Sequence, residues 1–308
     1  MPLPSVGALA AGPGSLMGVS VLARQLITLA KPRVISLLVV TGVCGVWKAS
    51  EGSPDPWVML AVAGCGGLAA GGSNAINQGF DADIDAVMRR TRNRPVPLHR
   101  VRPALAVGVG MAWVAGAVVL LGLLTNWWAG LLTLAAAATY VFVYTLLLKR
   151  RSWNNIVIGG AAGAFPPLIG AAAVTGGLDA VGLYMFTFVF FWTPPHFWTL
   201  SLLLRDDYSA AGVPMLGSVA SERATAVQVA LYIGLLIALS WLPLAAGYGG
   251  VFFGAVSTLM GLLWLRRTRP LLRGGASYRQ TLGAYKYSLL HLAVVFAALG
   301  LETHLPWA

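Results

Sequence analysis

Nine apolar segments alternate with polar stretches along the chain, at roughly 32–50, 56–79, 103–124, 127–147, 154–174, 180–202, 225–246, 250–266 and 283–303. A helix needs ~20 mostly apolar residues to cross the hydrocarbon core. Inside a bilayer only helices and closed barrels satisfy the backbone, and runs this long are helices. The pattern predicts an all-α, polytopic membrane protein with nine transmembrane helices in one domain over 24–304. The 37 glycines do not weaken that reading, because small residues such as Gly159, Gly160 and Gly163 let membrane helices approach closely. Two long polar stretches, about 80–102 and 203–224, follow the second and sixth segments. That four-helix offset predicts a duplicated four-helix unit plus one last helix, with a site at the repeat interface.

Composition strengthens the membrane reading. Hydrophobic residues make up 57% of the chain and charged residues 10%, against about a quarter charged in soluble domains. A net charge of +11 would suit nucleic acid, but its placement argues against that partner. Every lysine and arginine except Lys48 lies before or at the start of the first segment, or in or at the edges of the stretches that follow the second, fourth, sixth and eighth. This is the positive-inside pattern. It predicts an N-terminus inside and a C-terminus outside, across the plasma membrane if the source is prokaryotic. Residues 1–20 carry no charged side chain. They lack the basic start of a secretory signal, so a flexible, uncleaved leader is expected over 1–23. Cys44 and Cys65 fall within apolar runs and read as small buried hydrophobes.

The first polar stretch carries the chemistry. Asn77, Asp81 and Asp85 are spaced i, i+4, i+8, which lines them along one helix face, while Asp83 points elsewhere. Three oxygen-bearing side chains in a row suit a hard divalent cation, and magnesium keeps waters and substrate phosphates among its ligands. Arg90 and Arg94 follow closely, and guanidinium forks match phosphate oxygens. Arg100 and Arg102 read as topology signals. In the sixth apolar segment, just before the second stretch, Pro194-Pro195 is expected to break or kink its helix. His196 comes next, and a histidine at membrane depth is a functional candidate, with a satisfied capping residue as the plain alternative. Arg205, Asp206 and Asp207 lie on the same side as the first cluster. Two acidic clusters with arginines nearby suit a magnesium-bridged diphosphate, whose leaving charge metal ions and arginines stabilise.

The run from Asn77 to Pro95 resembles the first signature of the UbiA superfamily of intramembrane prenyltransferases. Trp192–Trp198 (WTPPHFW), Asp206–Leu216, Asn154–Gly170 and Lys31-Pro32-Arg33 resemble the branch that farnesylates haem, so the likeness covers about 30–290. The resemblance implies nine helices around a central cavity. It implies transfer of farnesyl from farnesyl diphosphate to haem b with addition of water, giving haem O, with Mg2+ as cofactor. Asn77, Asp81, Asp85 and Asp206 would hold the metal, and Asp207 would act with them. Arg33, Arg90, Arg94, Tyr144, Lys149 and Arg205 would contact the diphosphate. Trp192, His196 and Trp198 would meet the porphyrin, with His291 a weaker candidate for the same role. A haem A synthase that uses the product would be a partner. The chain departs from the superfamily in one respect: Asp206 and Asp207 are adjacent and cannot share a helix face. A UbiA-type enzyme acting on a quinone precursor or chlorophyll-like ring stays open, as does a transporter or haem-handling protein without chemistry.

Overall fold

The computed structural model describes residues 16–247 and 250–304, with the side chains of residues 16–20 and 33 outside the described set. In chain order the helices are α1 (Leu16–Ala30), α2 (Pro32–Ala49), α3 (Pro56–Phe80), α4 (Ala82–Val87), α5 (Pro103–Leu124) and α6 (Trp127–Ala138), which continues as a π-helix over Thr139–Leu148. Then come α7 (Asn155–Gly159), α8 (Ala161–Thr175), α9 (Ala180–Leu203), α10 (Arg205–Ala210), α11 (Leu216–Val219), α12 (Glu222–Leu239), α13 (Leu242–Ala245), α14 (Val251–Arg273) and α15 (Tyr278–Glu302). Polar caps set several of the starts. Asp55, Asn126, Asp179 and Ser221 accept hydrogen bonds from the first turns of α3, α6, α9 and α12. Ser277 and Gln280 form a capping box on α15.

Among the described residues six helical spans are long and apolar enough to cross a membrane, or seven if α1 and α2, bent by 59°, form one broken span. The predicted nine also included α9 and α14. At 24 and 23 residues these are long enough, but Pro194, Pro195 and His196 dilute the first, and Arg266, Arg267 and Arg269 the second. Helix α1 begins at Leu16, within the expected leader over 1–23; residues 1–15 lie outside the described residues. The expectation for the proline pair needs correction. Helix α9 runs unbroken through Pro194 and Pro195. Neighbouring elements hold it from outside: Trp192 Nε1 donates to the Ser288 carbonyl of α15 (3.1 Å), and His196 Nδ1 bonds Ser288 Oγ (2.6 Å). These bonds fix α9 against α15 on either side of the proline pair.

The two halves of the bundle pack differently. In the first, small residues such as Ala61, Cys65, Ala69, Ala117 and Ala129 bury against Val46 and Ile169. In the second, Phe188, Trp192, Trp198, Phe253, Trp264 and Phe296 fill the core. Cys65 is buried and Cys44 half-buried, and both thiols are free. Leu123, Phe142 and Leu231 stand more than 60% exposed on the outer faces, a surface suited to lipid.

The close approach is tightest between α2 and α8. A Cβ at Gly170 would lie 2.0 Å from the Gly42 carbonyl oxygen, and one at Gly45 2.1 Å from that of Pro167. Of the three glycines marked in the sequence, Gly159 abuts the Tyr144 ring and Gly160 abuts Thr193, whereas a Cβ at Gly163 would meet nothing within 4 Å. Gly170→Ala is expected to cost ~1–3 kcal/mol by overpacking, read as a lower unfolding midpoint in detergent. Gly163→Ala should leave the midpoint unchanged or slightly higher.

Candidate active site

Helix α3 ends at Phe80, yet its hydrogen bonding carries on into α4. Asp81 N donates to Asn77 O (2.9 Å) and Asp85 N to Asp81 O (2.8 Å). The one-turn spacing therefore holds, and Asn77, Asp81 and Asp85 are 3%, 1% and 2% exposed. Asp83 turns outward, 65% exposed, and forms a two-pronged pair with Arg150 (2.7 Å each). That hydrogen-bonded guanidinium holds the Asp83 carboxyl at about 2.

A cation faces each buried acid. Asp81 Oδ2 accepts from Lys149 Nζ and from Asn77 Nδ2 (2.6 Å). Arg94 donates to Asp85 Oδ2 at 2.7 Å. Lys31, absent from the residues assigned to the site from sequence, donates to the side-chain carbonyls of Asn74 (3.4 Å) and Asn77 (3.3 Å). Its backbone is left-handed, φ 56° and ψ 63°. A non-glycine residue there costs of order 1–3 kcal/mol and persists where its surroundings fix it. The π-helix delivers the remaining groups. Its i→i−5 spacing, with Lys149 N on Tyr144 O (2.8 Å), turns Thr145 toward Asn77 Nδ2 (3.1 Å) and Lys149 toward Asp81. Tyr144 stacks on Tyr140 (5.6 Å, 18°), whose hydroxyl reaches Asn74. A cleft of about 340 Å³ lined by Phe80, Asp81, Thr145, Leu146 and Arg150 opens beside this cluster.

The second acidic pair divides. Asp207 is 6% exposed and accepts from Arg89 Nε (3.1 Å) and from Arg90 N (3.2 Å). Burial pushes its carboxyl up, but these hydrogen bonds outweigh burial and leave it below the usual carboxylate value. Asp206 is 85% exposed and reaches only as far as Arg89, at 3.5 Å. The expected metal role for Asp206 therefore has no support in its placement: adjacent residues on α10 face opposite ways. Arg205 is also used elsewhere. Its guanidinium donates to Gly217 O (2.6 Å) and Ala220 O, holding the turn around α11. The Arg33 side chain lies outside the described residues.

His196 lies between Trp192 (4.5 Å, 17°) and Tyr285 (4.9 Å, 28°). Trp198 points away from it and meets Tyr232 edge-on. His291 is fully buried between Phe188 and Trp264, and neither ring nitrogen has a hydrogen-bond partner. Arg90, exposed on its loop, acts electrostatically on Tyr144, Tyr208 and Tyr285.

A model of the UbiA prenyltransferase family matches residues 37–290, a span that includes the aspartate cluster, Lys149, Asp207 and His196. The chain belongs to the UbiA prenyltransferase family. Similar curated proteins include the protoheme IX farnesyltransferase of Granulibacter bethesdensis, 45% identical over 91% of this chain and 90% of that one. That of Thermus thermophilus is 48% identical over 91% of this chain and 46% of its own length, so the chain spans about half of that relative. Among solved structures the fold resembles a digeranylgeranylglyceryl phosphate synthase in membranes, with TM-score 0.74 and 17% identity over 91% of this chain and 98% of that one. It also resembles a UbiA homolog from Archaeoglobus fulgidus bound to GPP and Mg2+, with TM-score 0.65 and 14% identity over 89% and 99%.

In this UbiA chain no three His, Cys, Asp or Glu side chains gather around one point among the described residues. Magnesium does not require that, since one or two carboxylates with waters and substrate phosphates suffice. The buried Oδ1 of Asp81 accepts no hydrogen bond, with the nearest Arg150 nitrogen 3.7 Å away. Asp81, Asp85 and the Asn77 amide form an all-oxygen donor set beside it, which fits such an ion. Sequence reasoning missed Lys31, Arg89 and Tyr140 as site residues. Tyr140 had a readable signal, one turn before Tyr144; Arg89 was hidden within a basic run that topology already explained.

Removing the partner of a buried charge is costly, so Lys149→Met is expected to lose ~3–5 kcal/mol of stability. Asp83→Asn breaks an exposed pair and should change stability by under ~1 kcal/mol. Unfolding midpoints of the two variants in the same detergent compare them directly.

Proposed function

We propose that the chain transfers a farnesyl group from farnesyl diphosphate to a vinyl group of haem b, with addition of water, giving haem O and diphosphate. The observation that carries the reading is the line of buried acids, each against its own cation, beside a cleft at the basic ends of the helices. Such a site accepts a polyanion and the metal that travels with it. Likeness to proteins named protoheme IX farnesyltransferase, together with the WTPPHFW run, favours haem over a quinone precursor as the acceptor.

Asn77, Asp81 and Asp85 are the residues that would hold magnesium. When bound, magnesium supplies positive charge that lowers the cost of releasing diphosphate. Lys149, Arg94 and Arg90 donate to the phosphate oxygens, and Arg33 is a further donor suggested by the sequence. Exchange is the key event: Lys149 and Arg94 leave Asp81 and Asp85 for phosphate as the substrate enters. The allylic C–O bond then breaks and its electron pair stays with diphosphate. The vinyl π electrons form the new C–C bond. Water adds to the carbon left electron-deficient beside the porphyrin and gives up one proton. Tyr140 and Tyr144 wall the cation from other water, while Trp192 and His196 face the porphyrin. The protein works as a multi-pass enzyme of the lipid bilayer with its N-terminus inside, passing its product to a haem A synthase.

Membranes containing the full chain, given haem b, farnesyl diphosphate and Mg2+, should yield a haem heavier by one farnesyl group and one hydroxyl. Asp81→Ala and Asp85→Ala should each lower the rate by ~10²-fold or more, as loss of transition-state charge stabilisation does. EDTA should abolish the reaction. If folded protein gave no such product but prenylated another aromatic ring, the acceptor would be wrong. Intact farnesyl diphosphate with every acceptor would overturn prenyl transfer altogether.

A further inference from the structure

Helices α9 and α15 meet at one serine that the reaction above does not use. Ser288 is fully buried. Its backbone carbonyl accepts the Trp192 indole N–H (3.1 Å), and its hydroxyl lies 2.6 Å from His196 Nδ1. The same hydroxyl donates to the Tyr285 carbonyl at 2.6 Å. A hydroxyl has one proton to give, and a carbonyl can only accept. Ser288 must therefore accept from His196, so the histidine proton sits on Nδ1. The ring faces are covered by Trp192 and Tyr285, so the edge bearing Nε2 is left to act, with its lone pair outward. His196 keeps 6% of its surface exposed, whereas His291 keeps none. A neutral imidazole whose far N–H is held by a fixed acceptor is the form in which histidine binds metals.

Resting on the reading that haem is the acceptor, we propose that Ser288 is a positioning residue: it fixes His196 in the Nδ1–H tautomer and so offers Nε2 as an axial ligand to the iron of the metalloporphyrin substrate. Tyr285 completes the arrangement by engaging the serine proton and covering the second ring face. His291 has a packing role and no part in ligation. The geometry also orients the acceptor, since a porphyrin held through its iron presents one edge, with its vinyl groups, at a fixed distance from the aspartate cluster.

The full chain in nanodiscs tests this in two steps. In wild-type protein labelled with 15N-histidine and free of haem, the His196 signals, identified by their loss in His196→Gln, should show a protonated Nδ1 and a bare Nε2. The opposite tautomer overturns the proposal whether or not the enzyme uses haem. Ferric haem b is then added. The absorption and EPR signature of histidine-ligated iron should appear in wild type and Ser288→Thr and vanish in His196→Gln. In Ser288→Ala the affinity should fall ~10-fold or more, as loss of an outer-shell partner does at metal sites. Unchanged ligation and affinity in Ser288→Ala overturns the positioning role. Normal tautomer and ligation without farnesyl transfer would leave this inference standing and fault the proposed reaction instead.

Discussion

Burying a carboxylate at the end of a membrane helix is tolerable only with positive charge against it, and the basic end of this bundle is arranged around that requirement. Asp81 needs Lys149. To bring Lys149 there, the chain departs from α-helical spacing over Thr139–Leu148. Asp85 needs Arg94, which folds the loop after α4 back over the site. Lys31, held in a left-handed backbone at the bend between α1 and α2, donates to the Asn77 side-chain carbonyl beside them. Each pairing thus explains a local irregularity elsewhere in the fold. The same pairings leave the site charged but balanced, so a substrate diphosphate and its metal exchange partners with it rather than filling a void.

The second half supplies shape where the first supplies charge. Its core is aromatic, with Ser288 bonded to His196 and Arg205 to two carbonyls. Besides the packing of α8 on α9, a buried acid ties the halves. Asp207 takes hydrogen bonds from Arg89 and from the Arg90 amide, which docks the loop after α4 onto α10.

Much of this is legible in the sequence. Apolar length locates the helices to within a few residues, because the bilayer imposes a single length scale. The i, i+4, i+8 spacing places Asn77, Asp81 and Asp85 correctly, because spacing along one helix is a local property. Partner choice is not local. Nothing in the order of residues shows that Arg205 serves the α11 turn, that Asp207 and not Asp206 faces inward, or that Lys31 reaches α3 from 46 positions away. The proline pair misleads for a related reason: its local effect is to break a helix, and the contacts that hold α9 through it come from α15.

The π-helical stretch has a consequence for how this chain tolerates change in length. In an α-helix, gaining or losing one residue swings everything beyond it by ~100°. Between Trp127 and Leu148 the lipid-facing start and the site-facing end obey different demands, and the wide turns between them act as a vernier. They let Lys149 be set by chemistry while Trp127 and Leu131 stay set by the surrounding lipid. A helix of perfect regularity would have to choose between the two.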